Sequence, residues 1–286
     1  MVNLLILLVL EVVMVGKGSP TTRRNRRLGL MFTAPWLIGF VIFTIYPFAA
    51  SIALSFTKYS VLSPPKYIGL GNYLELFKDP LFWTSLYNTF YFAAFSVPLG
   101  AVIGVMLALL LNQDVQGLPV YRTIYYLPSI VPVVASAIIW MWLLNPYYGI
   151  INAILEAVGI PGPGWIADPA WSKPALIIMS LWGVGNATLI YLAGLQDVPV
   201  SLYESADLDG AQAWHRTWYI TLPMITPTIL FNVVMGMINA FQYFTQAYIM
   251  TNGGPADSTL FYSLYLYNNS FRYFKMGYAS AQAWLL

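Results

Sequence analysis

The stretch LFWTSLYNTFYFAAFSVPLGAVIGVMLALLLNQ, from Leu81 to Gln113, contains no charged side chain. A helix needs roughly 20 apolar residues to cross a hydrocarbon core of ~30 Å, so this run is long enough to span a bilayer. Charge-free intervals of similar character run Leu28–Thr57, Thr123–Leu155, Pro174–Gln196 and Thr217–Ala256. Spanning helices are expected at about 30–56, 85–111, 122–144, 174–196 and 222–250. A sixth begins near Gly277 and stops at Leu286. At ~1.5 Å per residue its eleven residues from Met276 reach roughly 17 Å, so the sequence looks cut off inside its last helix. The expected fold class is all-α, a polytopic membrane bundle of six helices.

Composition agrees. Of 286 residues, 59% are hydrophobic and 8% charged, against about 25% charged in a soluble domain. Too few charges remain to solvate a globule, so lipid is the solvent for much of the surface. The 16% aromatic content suits membrane interfaces, where Trp and Tyr concentrate. There is no cysteine and one histidine, His215, which excludes disulfides and thiolate metal sites; one histidine holds no metal alone. The net charge of +2 says little, but Arg23, Arg24, Arg26 and Arg27 are clustered. A nucleic-acid arm and a juxtamembrane anchor both use such clusters, and the long apolar run that follows favours the anchor.

Basic residues beside the first helix hold it to the cytoplasm. Segments 57–84, 145–173 and 251–276 are then outside, and 112–121 and 197–221 inside. Lys17, the four arginines, Arg122 and Arg216 fall inside, while Lys58, Lys66, Lys78, Lys173, Arg272 and Lys275 fall outside. The totals nearly balance, so the cluster carries the orientation. Met1–Val15 is apolar but contains Glu11 and lacks leading basic residues; a mis-assigned start and a surface helix are both open. The outside loops hold the turn-rich runs Gly159-Ile-Pro-Gly-Pro-Gly164 and Asn252-Gly-Gly-Pro255.

Catalytic constellations are missing. There is no phosphate loop, no Gly-x-Ser-x-Gly elbow and no His-Glu-x-x-His, so this chain is not read as an enzyme or as an ATP binder. None of the expected spans holds a carboxylate of the kind that proton- and ion-driven carriers place there. An uncharged cargo moved by energy supplied elsewhere fits better. The segment Tyr203-Glu-Ser-Ala-Asp-Leu-Asp-Gly-Ala-Gln-Ala-Trp-His-Arg-Thr-Trp-Tyr-Ile-Thr-Leu-Pro223 is the informative one. A short helix over 200–208 is expected to carry Glu204 in its first turn, favourable at a helix N-terminus. Asp209-Gly210 breaks it, glycine supplying positive φ, and a second short helix over about 211–219 leads to Pro223. An ordinary interfacial loop has the same pattern.

This segment resembles the EAA loop of binding-protein-dependent ABC importer permeases, whose pattern is Glu-Ala-Ala, Asp-Gly-Ala, then Ile-x-Leu-Pro. Glu204, Ala206, Asp209, Gly210, Ala211, Ile220, Leu222 and Pro223 match at the family's spacing, with Ser205 replacing the middle alanine and Thr217 standing where an aromatic is usual. The resemblance extends from about Pro35 and points to the sugar branch, of maltose and multiple-sugar type. Phe43-Thr-Ile-Tyr-Pro47, Ser55-Phe-Thr57, Gly69-Leu-Gly-Asn-Tyr73, Asp79-Pro-Leu-Phe-Trp83, Asn88-Thr89, Asn145-Pro-Tyr-Tyr-Gly-Ile-Ile-Asn152, Trp165-Ile-Ala-Asp-Pro169, Thr251-Asn-Gly-Gly-Pro255 and Phe271-Arg-Tyr-Phe-Lys-Met-Gly-Tyr-Ala-Ser-Ala281 carry it by order and spacing. It implies a type I importer permease fold over 29–286, a cytoplasmic or interfacial segment over 1–28, and a coupling loop at about 200–223. It implies that Glu204, Ser205, Ala206, Asp209, Gly210 and Ala211 dock in a separate ATPase dimer, which binds ATP and Mg while this chain binds no cofactor. The implied partners are a homologous second permease, that ATPase, an extracytoplasmic sugar-binding protein and the lipid of the bacterial cytoplasmic membrane, with no nucleic acid.

Sugars are held by aromatic faces and a few placed polar groups. Trp182 and Asn186 are four apart with Gly183 between them, and Asn239 and Tyr243 are four apart with Gln242 adjacent and Gly236 a turn earlier. Residues four apart share a helix face. Helix packing uses the same residue types. The resemblance places the sugar path of maltose-type permeases near 179–186 and 236–243. The tyrosines Tyr262, Tyr265, Tyr267 and Tyr273 read as interface belt and docking surface. A glycerol-phosphate-type substrate on the same scaffold, a self-sufficient secondary carrier and a membrane enzyme using Glu204, Asp207, Asp209 and His215 are the rival readings.

Overall fold

The computed structural model describes residues 20–113 and 116–286; Met1–Val15 and Lys17 lie outside them. The first helix starts at Pro20 and so runs through the expected 28/29 boundary. It comprises α1 (Pro20–Phe40), a π turn (Val41–Ile45) and α2 (Tyr46–Ser55). A two-stranded antiparallel hairpin follows, β1 (Thr57–Ser60) and β2 (Ser63–Tyr67), an addition to the all-helical expectation. Next come α3 (Gly71–Lys78), the second span α4 (Pro80–Leu111), and α5 (Leu118–Ile130) with α6 (Val133–Leu143). They are followed by α7 (Ile150–Ala157), a 3₁₀ turn (Trp165–Ala167), α8 (Pro169–Trp182) and α9 (Gly185–Gln196). The chain ends with α10 (Val200–Leu208), α11 (Ala213–Arg216), a π turn (Thr217–Thr221), α12 (Leu222–Phe241), α13 (Thr245–Met250), α14 (Tyr262–Tyr267), a π turn (Asn268–Arg272) and α15 (Met276–Ala283).

Three described helices are long and apolar enough to cross a membrane, and five if each of two bent pairs counts as one span; the expected sixth is the eight-residue α15. The expected third span, 122–144, is broken: α5 and α6 meet at 97°. Val131 is extended (φ −66, ψ 128) and Pro132 follows it, because a proline disfavours helical backbone in the residue before it and has no N–H to continue the ladder. The expected fourth span, 174–196, starts earlier and bends by 48° between Trp182 and Gly185. Pro169, not Pro174, is its first residue, since the Asp168 carboxylate accepts from the Ala170 amide at 2.9 Å. Asp79 does the same for Leu81 at 2.9 Å ahead of Pro80, so both spans open with an Asp cap and a proline at N1. The earlier start brings Lys173 into a helix. Its ammonium donates to Asn88 Oδ1 at 3.0 Å and lies 5.1 Å from the ring centres of both Tyr87 and Tyr91, pinning α8 to α4.

Two π turns share a cause. Tyr46 N–H reaches back five residues to Val41, and Leu222 N–H to Thr217; each donor directly precedes a proline, Pro47 or Pro223. A proline ring clashes with the carbonyl four residues back, and the wider turn moves that carbonyl aside.

Glycines sit where three spans meet. A Cβ on Gly104 of α4 would lie 2.9 Å from the Tyr191 ring of α9, one on Gly194 of α9 would lie 2.9 Å from Thr228 of α12, and one on Gly236 of α12 would lie 3.3 Å from Val97 of α4. Small residues let helices approach where lipid offers no hydrophobic drive. The loops assigned to one side are stitched together: Ser172 bonds Ser258 at 2.7 Å, and Asn88 donates to the Asp257 and Leu260 carbonyls at 2.8 and 3.1 Å. At the opposite end Arg122 donates to Leu111 O at 3.2 Å, and Tyr203 bonds Thr221 at 3.0 Å. The belt reading of the tyrosines needs correction, because Tyr262 and Tyr265 are 1% and 6% exposed. Tyr262 O–H donates to Gln282 O at 2.6 Å and its amide donates to Thr89 Oγ1 at 2.9 Å, whereas Tyr273 is on the surface.

A Cβ on Gly277 would sit 2.0 Å from the Thr57 carbonyl, so α15 rests directly on β1, while one on Gly29 meets nothing within 4 Å. Gly277→Ala is expected to cost about 1–3 kcal/mol by overpacking and to lower the midpoint of thermal unfolding in detergent. Gly29→Ala should leave it unchanged.

Candidate functional site

The elbow between the fourth and fifth spans is built as a helix, a glycine stop and a return. Pro199 precedes α10, and Gly210, at φ +75, ends it. Gly210 N–H bonds Asp207 O at 3.1 Å and Ala211 N–H bonds Ala206 O at 2.9 Å, the paired bonds of a Schellman stop. Glu204 is in the second turn of α10, not the first as expected, so the helix N-terminus gives it little. The expected second helix over 211–219 is four residues of α11 that pass through the π turn into α12, so the elbow continues directly into the fifth span. Its base is fixed: Arg216 pairs with Asp207 at 2.5 Å, and Thr221 Oγ1 bonds both Tyr203 and Arg216 O. Its tip is free. Glu204, Ser205, Asp209 and Gly210 are exposed, Ala206 and Ala211 half-buried. Leu208, which no motif singled out, is 91% exposed.

A cavity of about 340 Å³ lies near the middle of α4, between two buried clusters. Gly183, Asn239 and Tyr243 line it, with Ser96 and Gly100 of α4, Ser180, Tyr191, Asn232 and Gly236. A second, of about 180 Å³, sits at the breaks of the third and fourth spans. Trp182, Gly183 and Asn186 line it with Ser129, Ser136, Ser180 and Gln246. Gly183 and Ser180 belong to both. Gln242 lines neither; it is the exposed C-cap of α12. The four-residue spacings place these side chains together, though not by helical phase: Trp182 and Asn186 straddle the break, and Tyr243 lies beyond the end of α12. Tyr243 is 8% exposed, its ring 4.2 Å from Phe92 and 5.3 Å from Phe261. Its buried hydroxyl has no partner among the described residues. The α4 wall went unread in the sequence, although Ser96, Gly100 and Gly104 form a small-residue ladder at four-residue spacing.

At the far end from the elbow, Asp79 ties three elements. Its Oδ2 accepts from Tyr278 at 2.7 Å and from Tyr265. Burial pushes its pKa up, but the bonds from Tyr265, Tyr278 and the Leu81 and Phe82 amides outweigh that and hold the carboxyl below its usual value. Burial, then the neighbouring carboxylate, pushes the Tyr265 hydroxyl up to about 12.

A broken-helix bundle with a mid-membrane cavity and a glycine-stopped elbow is the architecture of a membrane permease. Residues 100–285 match the family described as binding-protein-dependent transport system inner membrane component, and the chain belongs to it. It is 45% identical to the probable ABC transporter permease protein YesP of Bacillus subtilis, over 94% of this chain and 89% of that one. It is 36% identical to the lactose transport system permease protein LacF of Rhizobium radiobacter, over 90% and 88%. Its fold matches a chain in the crystal structure of a bacterial alginate ABC transporter in complex with an alginate pentasaccharide-bound periplasmic protein, with TM-score 0.82, 25% identity, and 93% and 90% coverage. The chain is thus an ABC importer permease of the type I fold, a transport component of the inner membrane.

Two outcomes follow from these groups. An unpartnered buried hydroxyl costs about 1–3 kcal/mol, so Tyr243→Phe should hold or raise the unfolding midpoint of the cargo-free protein. A depressed carboxylate pKa adds stability that is present above the unfolded value of 3.8 and lost as pH falls through the folded one. The wild-type midpoint should therefore drop below about pH 4 by an increment absent from Asp79→Asn, read by thermal unfolding from pH 7 to 3.

Proposed function

We propose that this chain is one half of the membrane passage of a sugar importer, driven by a separate ATPase pushing on the elbow. The single observation that carries the reading is that the return of the elbow, from Ala213 on, is continuous with the fifth span, whose other end supplies Asn239 and Tyr243 to the central cavity. A push at the tip is transmitted through the Asp207–Arg216 pair and the Thr221 bonds to the helix that contacts cargo. Glu204, Ser205, Ala206, Asp209, Gly210 and Ala211 enter a cleft of the ATPase dimer, which holds ATP and Mg. A second, homologous permease closes the passage, and an extracytoplasmic sugar-binding protein delivers the cargo. The arginine cluster of the first helix and the elbow then face the cytoplasm.

A saccharide as cargo is supported by both cavities, whose linings are uncharged and combine aromatic rings with hydroxyl and amide groups. Lactose, which names the transport system of one relative, is an uncharged sugar of this kind. A glycerol phosphate would leave its charge unmatched there. Trp182 and Asn186 hold one end of the sugar and Asn239 and Tyr243 the other, with Gly183 giving room between them. Gln242, exposed and outside both cavities, acts elsewhere in the path. The described spans carry no carboxylate, which supports a passive passage over an ion-driven carrier.

The test is a substitution series in reconstituted vesicles containing the whole transporter. A Cβ on Gly210 meets open space, so substitutions there act through the left-handed backbone, costing about 1–2 kcal/mol for ordinary residues and less for Asn. Sugar-stimulated ATP hydrolysis and uptake should fall in the order Gly, Asn, Ala, Val, with membrane insertion unchanged. Normal uptake by Gly210→Val, or uptake at full rate without ATP, would remove the coupling role. Tyr243→Phe should weaken sugar uptake several-fold while the basal ATPase is retained.

A further inference from the structure

A third cleft serves neither the passage nor the elbow. It holds about 910 Å³ between the β1–β2 hairpin, α3 and the 273–278 segment, at the end of the bundle opposite the elbow. Lys58, Lys66 and Lys275 line it with Glu75, Tyr273 and Phe274. None of the three lysines forms an ion pair among the described residues, where the sole salt bridge joins Arg216 and Asp207. Lys58 and Lys66 are register partners across the hairpin, and like charges placed directly opposite one another destabilise a strand pair. Glu75 is the one carboxylate lining the cleft, and it forms no salt bridge with either lysine. Phe274 adds a second unfavourable feature: it is held at φ +55 and is 47% exposed. For a bulky side chain this backbone is strained, and such strain gathers at functional positions. Tyr273 beside it is 59% exposed.

The walls are rigid. Asn72 donates to Ser55 O at 2.7 Å and Thr57 O at 2.8 Å, and Tyr73 to Ser55 Oγ at 2.9 Å. Gly277 brings α15 onto the Thr57 carbonyl from the other side. Unpaired cations, exposed rings and fixed walls describe a preformed seat for an anionic partner. Val61 and Leu62 at the hairpin tip, 54% and 91% exposed, extend the contact with apolar surface.

We propose that this cleft seats an acidic surface segment of the extracytoplasmic binding protein, a docking that rests on the importer reading above. Glu75 decides between a polypeptide and a phosphate headgroup. A headgroup would face a carboxylate in the same cleft, whereas a polypeptide presents carboxylates to the lysines and an amide or ammonium to Glu75. Docking at this charged seat is steered electrostatically and so weakens with salt.

The experiment uses the complete transporter in nanodiscs with its own sugar-binding protein and reads ATP hydrolysis against binding-protein concentration. The variant K58Q/K66Q/K275Q removes the charges and relieves the hairpin repulsion, so its fold is not put at risk. It should need at least tenfold more binding protein for half-maximal stimulation, reach the same maximum, and lose most of the salt dependence. The variant K58R/K66R/K275R should behave as wild type. A glutamine variant with unchanged half-saturation and salt dependence overturns the docking alone. So does one whose only change is lost dependence on phosphatidylglycerol in the nanodisc, which would assign the cleft to lipid. A wild type that the binding protein never stimulates removes the importer reading and the docking with it.

Discussion

In hydrocarbon an unpaired backbone N–H or C=O costs several kcal/mol, and the architecture follows from that constraint. A helix may stop only where protein or a cavity covers the exposed groups. The third and fourth spans both stop at mid-chain, at Val131–Pro132 and at Gly183, and both stops open on the same 180 Å³ space. Gly185 allows the fourth span to approach there, since a Cβ on it would lie 2.7 Å from the Tyr125 carbonyl of α5. Discontinuous helices around a central site are how membrane transporters present backbone and side-chain polar groups to cargo. Polar residues elsewhere in the spans are satisfied locally: Thr188 bonds Val184 O at 3.0 Å, and Asn232 bonds Thr228 O at 3.0 Å.

The elbow solves a different problem, in water. A lever must be stiff at its base and free at its tip. The Schellman bonds at Gly210 and Ala211, the Asp207–Arg216 pair and the Tyr203–Thr221 bond supply the stiffness. The exposed pair is worth at most about 1 kcal/mol, so most of the stiffness comes from the backbone stop and from continuity with α12. The π turn before Pro223 keeps that continuity. Without it the proline would break the helix where the elbow enters the fifth span.

Much of this was legible along the chain. Apolar run length located five of the spans, because hydrocarbon thickness sets a length that tertiary contacts cannot alter. Asp209-Gly210 marked the elbow stop because only glycine takes that backbone conformation cheaply. The Asp-Pro starts at Asp79 and Asp168 are both readable as caps, but the expected spans began later, at about 85 and 174, which left Lys173 outside a helix. Trp182, Gly183, Asn186, Asn239 and Tyr243 do line two cavities that share a wall, but helical phase was the wrong reason, since the helices end between the paired residues.

The sequence alone determined the solvent, the approximate spans, the conformation at Gly210 and the family of the chain, since each depends on local chemistry or on residue order. Only the tertiary structure decided which polar groups share a cavity, which tyrosines are buried and which lysines go unpaired. Those are contacts between residues far apart in the chain, such as Lys173 with Asn88 or Asp79 with Tyr278, and no local propensity encodes them.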